Sequence, residues 1–246
     1  MDAHLLKYLI DPSLIENPRP RYYEIDLVNY CNLDCHWCIK HRFRPEPKRI
    51  MYYDIFLKLW EECRMNDCGI VLSGGEPTLH PDIRAIMHKC DQLLGFGIVS
   101  NGTNIDMINY FMDQCDNPNR WIRISINDRE IDPEMFNCAK YYPKRIGFSF
   151  IWESDEERVK CEWNARILEP YAKFCRVRKS FDYAHPVPDW DGIQCWGRKF
   201  SKKIKPDGSE MYCCHAENNN PMRKCPPECR WVKMNAKNVW DLNPFT

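Results

Sequence analysis

The chain has 246 residues, 44% of them apolar, and its 35 basic side chains are balanced by 35 acidic ones. That length holds one barrel-sized domain, or one domain with a small appendage, and the apolar share is ample for a core. Zero net charge argues against a surface built to neutralise a phosphate backbone, so nucleic acid is not an expected partner.

No run of about 18 apolar residues occurs, so no membrane-spanning helix is expected. The opening stretch Met1 to Ile10 has Asp2 at its head and Lys7 inside its only apolar run. It does not read as a signal peptide, and a cytoplasmic setting is expected. Residues 1–20 read as a lead-in.

Strand-like and helix-like runs alternate from residue 21. Arg21 to Val28 is rich in β-branched and aromatic residues and predicts a strand. Met51 to Met65 places Ile55, Leu59 and Cys63 on adjacent turns of a helix, with Phe56 and Trp60 beside them. Gly69 to Ser73 is a short buried strand. Pro81 to Leu94 predicts a helix with Pro at its start and Gly95 at its end. Strands follow at Phe96 to Ser100, Trp121 to Ile126, Arg145 to Ile151 and Lys173 to Arg178. Between them lie helices at Asn104 to Gln114, Pro133 to Tyr141 and Asp155 to Leu168. Such alternation implies a parallel sheet with right-handed crossovers. The expected fold is α/β: an open, partial TIM-like (β/α)6 barrel over residues 21–182, with the chemistry in loops at the strand C-termini. Prolines then break up a cysteine-rich extension, residues 183–246, which cannot bury much apolar surface alone.

Fifteen cysteines is a high count for a compartment that keeps thiols reduced. Cys63, Cys68, Cys90, Cys115, Cys138, Cys161 and Cys175 are scattered through amphipathic segments and read as small core or surface residues. The other eight fall in two clusters, which read as metal ligands or redox groups. Cys31, Cys35 and Cys38 follow the first strand with the spacing Cys-x3-Cys-x2-Cys. Three thiolates so placed can hold three corners of an iron–sulfur cube whose full complement is four cysteines, leaving one iron open. A zinc site with His36 or His41 as fourth ligand, or three unrelated thiols, are the alternatives.

This cluster resembles the signature of the radical S-adenosylmethionine (SAM) family, with Trp37 in its aromatic place. Ser73-Gly74-Gly75-Glu76-Pro77 is similar to that family's Gly-Gly-Glu-Pro motif. Ser100-Asn101-Gly102-Thr103 and Ser125-Ile126-Asn127-Asp128 follow on the third and fourth strands, with Asn127 where Asp is usual. The resemblance covers roughly residues 21–180. It implies a [4Fe–4S] cluster on Cys31, Cys35 and Cys38. The amino and carboxylate groups of SAM chelate its open iron, and an external donor such as flavodoxin or ferredoxin supplies electrons. Reductive cleavage of SAM then yields a 5′-deoxyadenosyl radical. Gly74 and Gly75 would allow close backbone approach to the ligand. Glu76 would accept from the methionine ammonium, and Pro77 would stiffen the turn. Ser100, Asn101 and Ser125 would suit the carboxylate and ribose. The plainer reading of these residues is turns and caps.

Two basic runs, Lys40-His41-Arg42-Phe43-Arg44 with Lys48-Arg49, and Arg198, Lys199, Lys202, Lys203 and Lys205, read as solvated faces before they read as anion grips. No single residue, Arg123, Asp128 and Glu153 included, is assigned as general acid or base.

Twelve residues separate Cys195 from Gly208 and four separate Gly208 from Cys213; Cys225 and Cys229 follow. Lys205-Pro206-Asp207-Gly208 predicts a tight turn between two short strands. This segment resembles the SPASM and twitch extensions of the radical SAM family, the single-cluster twitch form above all. The resemblance implies a second, auxiliary [4Fe–4S] cluster on Cys195, Cys213, Cys225 and Cys229, with Cys214 spare; a structural zinc ribbon is the alternative. The expected activity is an oxidoreductase abstracting hydrogen from a small-molecule or peptide substrate, the auxiliary cluster accepting an electron. Alternatives are an activating enzyme that installs a glycyl radical, a peptide maturase, a nucleotide-modifying enzyme, or a non-catalytic zinc module.

Overall fold

The structure is a computed structural model that describes residues 22–36, 38, 47–127, 129–180 and 201–211. In chain order these form β1 (Tyr22–Val28), α1 (Tyr53–Met65), β2 (Gly69–Gly74), a 3-10 turn (Pro77–Leu79), α2 (Ile83–Cys90), β3 (Phe96–Ser100) and α3 (Ile105–Gln114). There follow β4 (Trp121–Ser125), α4 (Pro133–Tyr141), β5 (Ile146–Trp152), α5 (Asp155–Leu168), β6 (Phe174–Lys179), β7 (Ser201–Ile204) and β8 (Glu210–Met211). The eight strands belong to one sheet ordered β6-β5-β4-β3-β2-β1-β7-β8. The pairs are parallel except β7 with β8. This is the expected α/β partial barrel.

Strand periodicity sorts the side chains onto two faces. Ile25, Leu27, Leu72, Ile98, Ile124 and Phe148 pack with Phe56, Ile86 and Phe111 of the helices in one apolar core. Residues of opposite parity line the concave face, where Tyr22, Val71 and Trp121 form a small second cluster with Val99. Cys63, Cys68, Cys90, Cys115, Cys138 and Cys161 are buried and Cys175 half-buried, as small core residues. Local signals set the helix starts. Asn104 caps α3 through Met107 N, Asp132 with Pro133 caps α4, and Ser154 and Glu157 close a capping box on α5.

The helix expected from Pro81 to Leu94 is shorter, Ile83–Cys90. His80 is buried before it, with Nε2 2.7 Å from Met51 O and Nδ1 accepting from Asp82 N. At the other end the bonds tighten to the three-residue pattern, Gln92 N to Lys89 O and Leu93 N to Cys90 O, while the Asp91 carboxylate accepts from the backbone N–H groups of Asp116 and Asn117.

The expected start of the C-terminal extension near residue 183 lies outside the described residues. Within them, residues 201–211 extend the barrel sheet, β7 pairing Lys203 with Glu24 and Ile204 with Ile25. Lys203 therefore does not lie on a solvated face. It is 7% exposed, with Nζ 2.5 Å from Glu24 Oε1 and 2.6 Å from Asp26 Oδ1. Ser73 Oγ accepts from Lys203 at 3.0 Å and lies 3.1 Å from each carboxylate. Lys202, on the other face, reaches Glu62 and Glu210. At the hairpin tip Asp207 accepts from Ser209 and pairs with Arg49 at 3.3 Å.

Burial alone would depress the charge on Lys203, but Asp26 and Glu24 overcome it and hold its pKa above the ordinary lysine value. Stability from such a raised group is complete below the unfolded lysine pKa and is lost as pH rises through the folded one, so neutral pH lies within its range. Lys203→Met leaves two carboxylates without their buried cation. An expected cost of about 3–5 kcal/mol in denaturant unfolding follows, together with a variant that gains stability on acidification while the wild type does not.

The exits of β1 and β2 touch through backbone. Gly75 N donates to Val28 O at 2.7 Å and Glu76 N to Tyr30 O at 2.9 Å. A Cβ on Gly75 would stand 1.8 Å from Tyr30 O, and one on Gly74, at φ +129°, 2.3 Å from Val28 O. The close approach these glycines permit in the structure is therefore to the chain itself. Gly75→Ala is expected to destabilise by about 3 kcal/mol, the upper range for overpacking. It should also reduce iron retained after anaerobic reconstitution, measured by iron and sulfide assay beside a denaturation curve.

Candidate functional site

The loop that carries the cysteines leaves β1 and is closed at its root. Met51 N donates to Leu27 O, Val28 bridges Ile50, and Asn29 exchanges bonds with Arg49 and Pro47. Arg49 and Lys48 of the first basic run are thus occupied within the chain, Arg49 with Asp207 and Lys48 over the Tyr30 ring. Residues 39–46 lie outside the described residues, as does Trp37.

Cys31, Cys35 and Cys38 are half-buried thiols of this loop, Cys38 N donating to Cys35 O at 2.9 Å. Cys31 Sγ accepts from Leu33 N at 3.4 Å and from Asn101 Nδ2 at 3.3 Å. Burial pushes the Cys31 thiol up, while the donors on Leu33 and Asn101 pull it back. Among the described residues no three cysteine, histidine or acidic side chains converge on one metal-ion position. His36 lies instead beside Glu153 and Glu157, 3.4 and 3.2 Å away. Burial raises the Glu157 carboxyl, but the N–H groups of Glu153 and Ser154, with His36 nearby, outweigh it and hold it below the usual range.

A single zinc ion would draw its thiolates to about 2.3 Å from one centre. A cluster takes one cysteine per iron and so keeps the sulfurs further apart. Three half-buried thiols on one short loop, with N–H donors aimed at Cys31 Sγ, suit thiolate ligands of such a cluster.

The β2 exit faces this loop. Glu76 is 1% exposed. Its Oε1 accepts from Thr78 N, Thr78 Oγ1 and Ser100 Oγ, and its Oε2 from Asn101 N at 2.7 Å. Pro77, buried, opens the 3-10 turn behind it. The Ser100 hydroxyl proton is committed to Glu76, and its oxygen accepts from Gly102 N. Ser100 thus serves the site by holding Glu76 rather than by offering an open hydroxyl. Ser125, at the end of β4, is half-buried on the concave face, 3.0 Å from Ser149 Oγ.

Sequence reasoning missed the residues that tie these exits together. Arg129 donates to Asn101 O at 2.5 Å and to Ser125 O at 2.6 Å, joining the ends of β3 and β4. Asn127, at φ +59°, accepts from Ile151 N and so joins β4 to β5. Asparagine tolerates this left-handed conformation, and its side-chain oxygen bonds within the fold. Asn32 and Thr103 complete the contacts around Asn101. A positive-φ asparagine after a strand is the one such signal that sequence carries; the rest depend on which strands are neighbours. Cys195, Cys213, Cys225, Cys229, Cys214 and Asp128 lie outside the described residues.

A family model described as the Radical SAM superfamily matches residues 25–150. The chain is similar to the GTP 3′,8-cyclase of Vibrio vulnificus, 26% identical over 155 residues, covering 56% of this chain and 44% of that protein. It is likewise 26% identical over 192 residues to the GTP 3′,8-cyclase of Haemophilus ducreyi, covering 70% of this chain and 53% of the relative. The chain spans about half the length of these relatives. In fold it resembles SuiB of Streptococcus suis bound to the precursor peptide SuiA, at TM-score 0.60 and 12% identity, over 98% of this chain and 69% of that one. It also resembles BtrN in complex with AdoMet and 2-DOIA, at TM-score 0.51 and 10% identity, over 93% and 85%. With the family match spanning just over half of its residues, the chain belongs to the Radical SAM superfamily.

Proposed function

We propose that the chain is a radical SAM oxidoreductase that takes hydrogen from a C–H bond of a small molecule or peptide, with Cys31, Cys35 and Cys38 holding its [4Fe–4S] cluster. The observation that carries this reading is the seat of the cysteine loop, bonded through backbone to Gly75 and Glu76 and through Asn101 to Cys31. Membership of the superfamily brings a [4Fe–4S] cluster and SAM as cofactors. When bound, that cluster supplies the electron for reductive cleavage of SAM to the 5′-deoxyadenosyl radical.

The chain's own residues would position the reactants. Three cysteine ligands leave one coordination position for the methionine end of SAM. Glu76 Oε2, with one bond among the described residues, retains acceptor capacity for the ammonium. The backbone of Gly74 and Gly75, stiffened by Pro77, would line the same group, Trp37 standing beside it by its place in the motif. Ser125 would face the carboxylate and ribose, while Asn101, its amide taken up by Thr103, Asn32 and Cys31, would act on the cysteine loop instead, and Ser100 through Glu76. A flavodoxin or ferredoxin would deliver the electron.

Cys195, Cys213, Cys225 and Cys229 would hold an auxiliary [4Fe–4S] cluster that accepts the electron left on the substrate, residues 183–246 forming its unit. Support comes from topology. β7 and β8 are antiparallel, so the hairpin enters and leaves the sheet at one end, six residues after Cys195 and two before Cys213.

A second reading, action on a nucleotide, is favoured by the concave face. The register places Arg123, Arg176 and Arg178 there with Ser125 and Ser149, and the chain is similar to GTP 3′,8-cyclases.

Anaerobically reconstituted protein is expected to carry two clusters by iron, sulfide and EPR. Cys35→Ala should reduce SAM cleavage to background, and Cys213→Ala should keep SAM cleavage but lose oxidised product. Transfer of deuterium from labelled small molecules, peptides or nucleotides into 5′-deoxyadenosine identifies the substrate class. Protein without iron and sulfide, or a first cluster capped by a fourth side chain, would overturn the proposal.

A further inference from the structure

We infer that Asn101 is a positioning residue for the cluster, its side-chain amide donating a hydrogen bond to the sulfur of one cluster ligand, Cys31. The inference rests on Cys31 being a cluster ligand, as proposed above.

The amide orientation follows from its partners. Thr103 N, which can only donate, lies 2.9 Å from Asn101 Oδ1, and Thr103 Oγ1 lies 2.7 Å from it. Oδ1 is therefore the end facing Thr103, and Nδ2 is the end facing the cysteine loop. There it stands 2.8 Å from Asn32 Oδ1 and 3.3 Å from Cys31 Sγ. Asn32 Nδ2 in turn donates to Thr103 Oγ1 at 2.8 Å. The hydroxyl accepts this bond and gives its one proton to Asn101, which closes a ring of three side chains. The backbone of Asn101 is held on both sides, its N–H by Glu76 and its carbonyl by Arg129. Asn101 is thus fixed at its backbone and at both ends of its amide.

A donor fixed in this way acts on the electronics of the thiolate. N–H···S bonds withdraw electron density and favour the more negative, reduced cluster, raising its reduction potential. Leu33 N provides a second donor to the same sulfur at 3.4 Å. Through Asn101 the sulfur of Cys31 is tied to the end of β3, so the ring also fixes the cysteine loop relative to Glu76.

The test uses the full chain, reconstituted anaerobically with iron and sulfide, in an EPR-monitored redox titration without SAM. Asn101→Leu is expected to retain the wild-type iron content while the midpoint of the cysteine-loop cluster moves to more negative potential and its g-values change. Asn101→Ser removes the amide without adding a charge and should shift the midpoint in the same direction; it decides the matter if the leucine variant does not assemble. Thr103→Val opens the ring but leaves the donor, and should give a smaller shift. An unchanged midpoint and spectrum in fully loaded Asn101 variants overturns the inference, as does a change confined to SAM affinity. Wild-type protein lacking iron and sulfide sinks the parent reading instead, and the two failures are read from different samples.

Discussion

Glu76 is buried between the ends of β2 and β3, and its two carboxyl oxygens take four hydrogen bonds, from Thr78, Ser100 and Asn101. Burying such a group without donors costs several kcal/mol, so the exits of the two strands are held in one arrangement. From that joint the contacts run outward in both directions. Glu76 N reaches Tyr30 at the root of the cysteine loop. Asn101, fixed by Glu76, reaches Cys31 and is bonded in turn by Arg129, which also holds the end of β4. The rim of the barrel is therefore a chain of individually satisfied polar groups, with the cysteine loop among them.

β1 sits at the centre of this arrangement. One of its faces, Ile25 and Leu27, belongs to the helix-packed core. The other carries Glu24 and Asp26 to Ser73 on β2 and Lys203 on β7. Its C-terminal end becomes the cysteine loop. The C-terminal hairpin is thus bound to the strand that leads into the site, once by the buried lysine and again where Asp207 meets Arg49. Breaking such a buried pair exposes the desolvation cost of what remains, which gives the hairpin one register.

The order of elements was legible because its causes are local. Alternating periods separate strands from helices, and Asp132-Pro133 and the Ser154–Glu157 capping box mark helix starts within three residues of sequence. The end of α2 was not legible, because the carboxylate of Asp91 beyond it is engaged by backbone donors of Asp116 and Asn117, 25 and 26 residues on. The glycines at Gly74 and Gly75 were readable as a need for close approach, but not that Val28 and Tyr30 are what approaches.

By itself the sequence determined the α/β alternation, the cysteine spacing and the motif residues at three strand ends, since each is a pattern within about ten residues. Tertiary structure alone decided that Asn101 meets Cys31 across 70 positions and that Lys203 lies buried against Glu24 across 179. The reason is register. Strand order and pairing determine which polar groups share a face, and each buried charge or amide must find its partner among those neighbours.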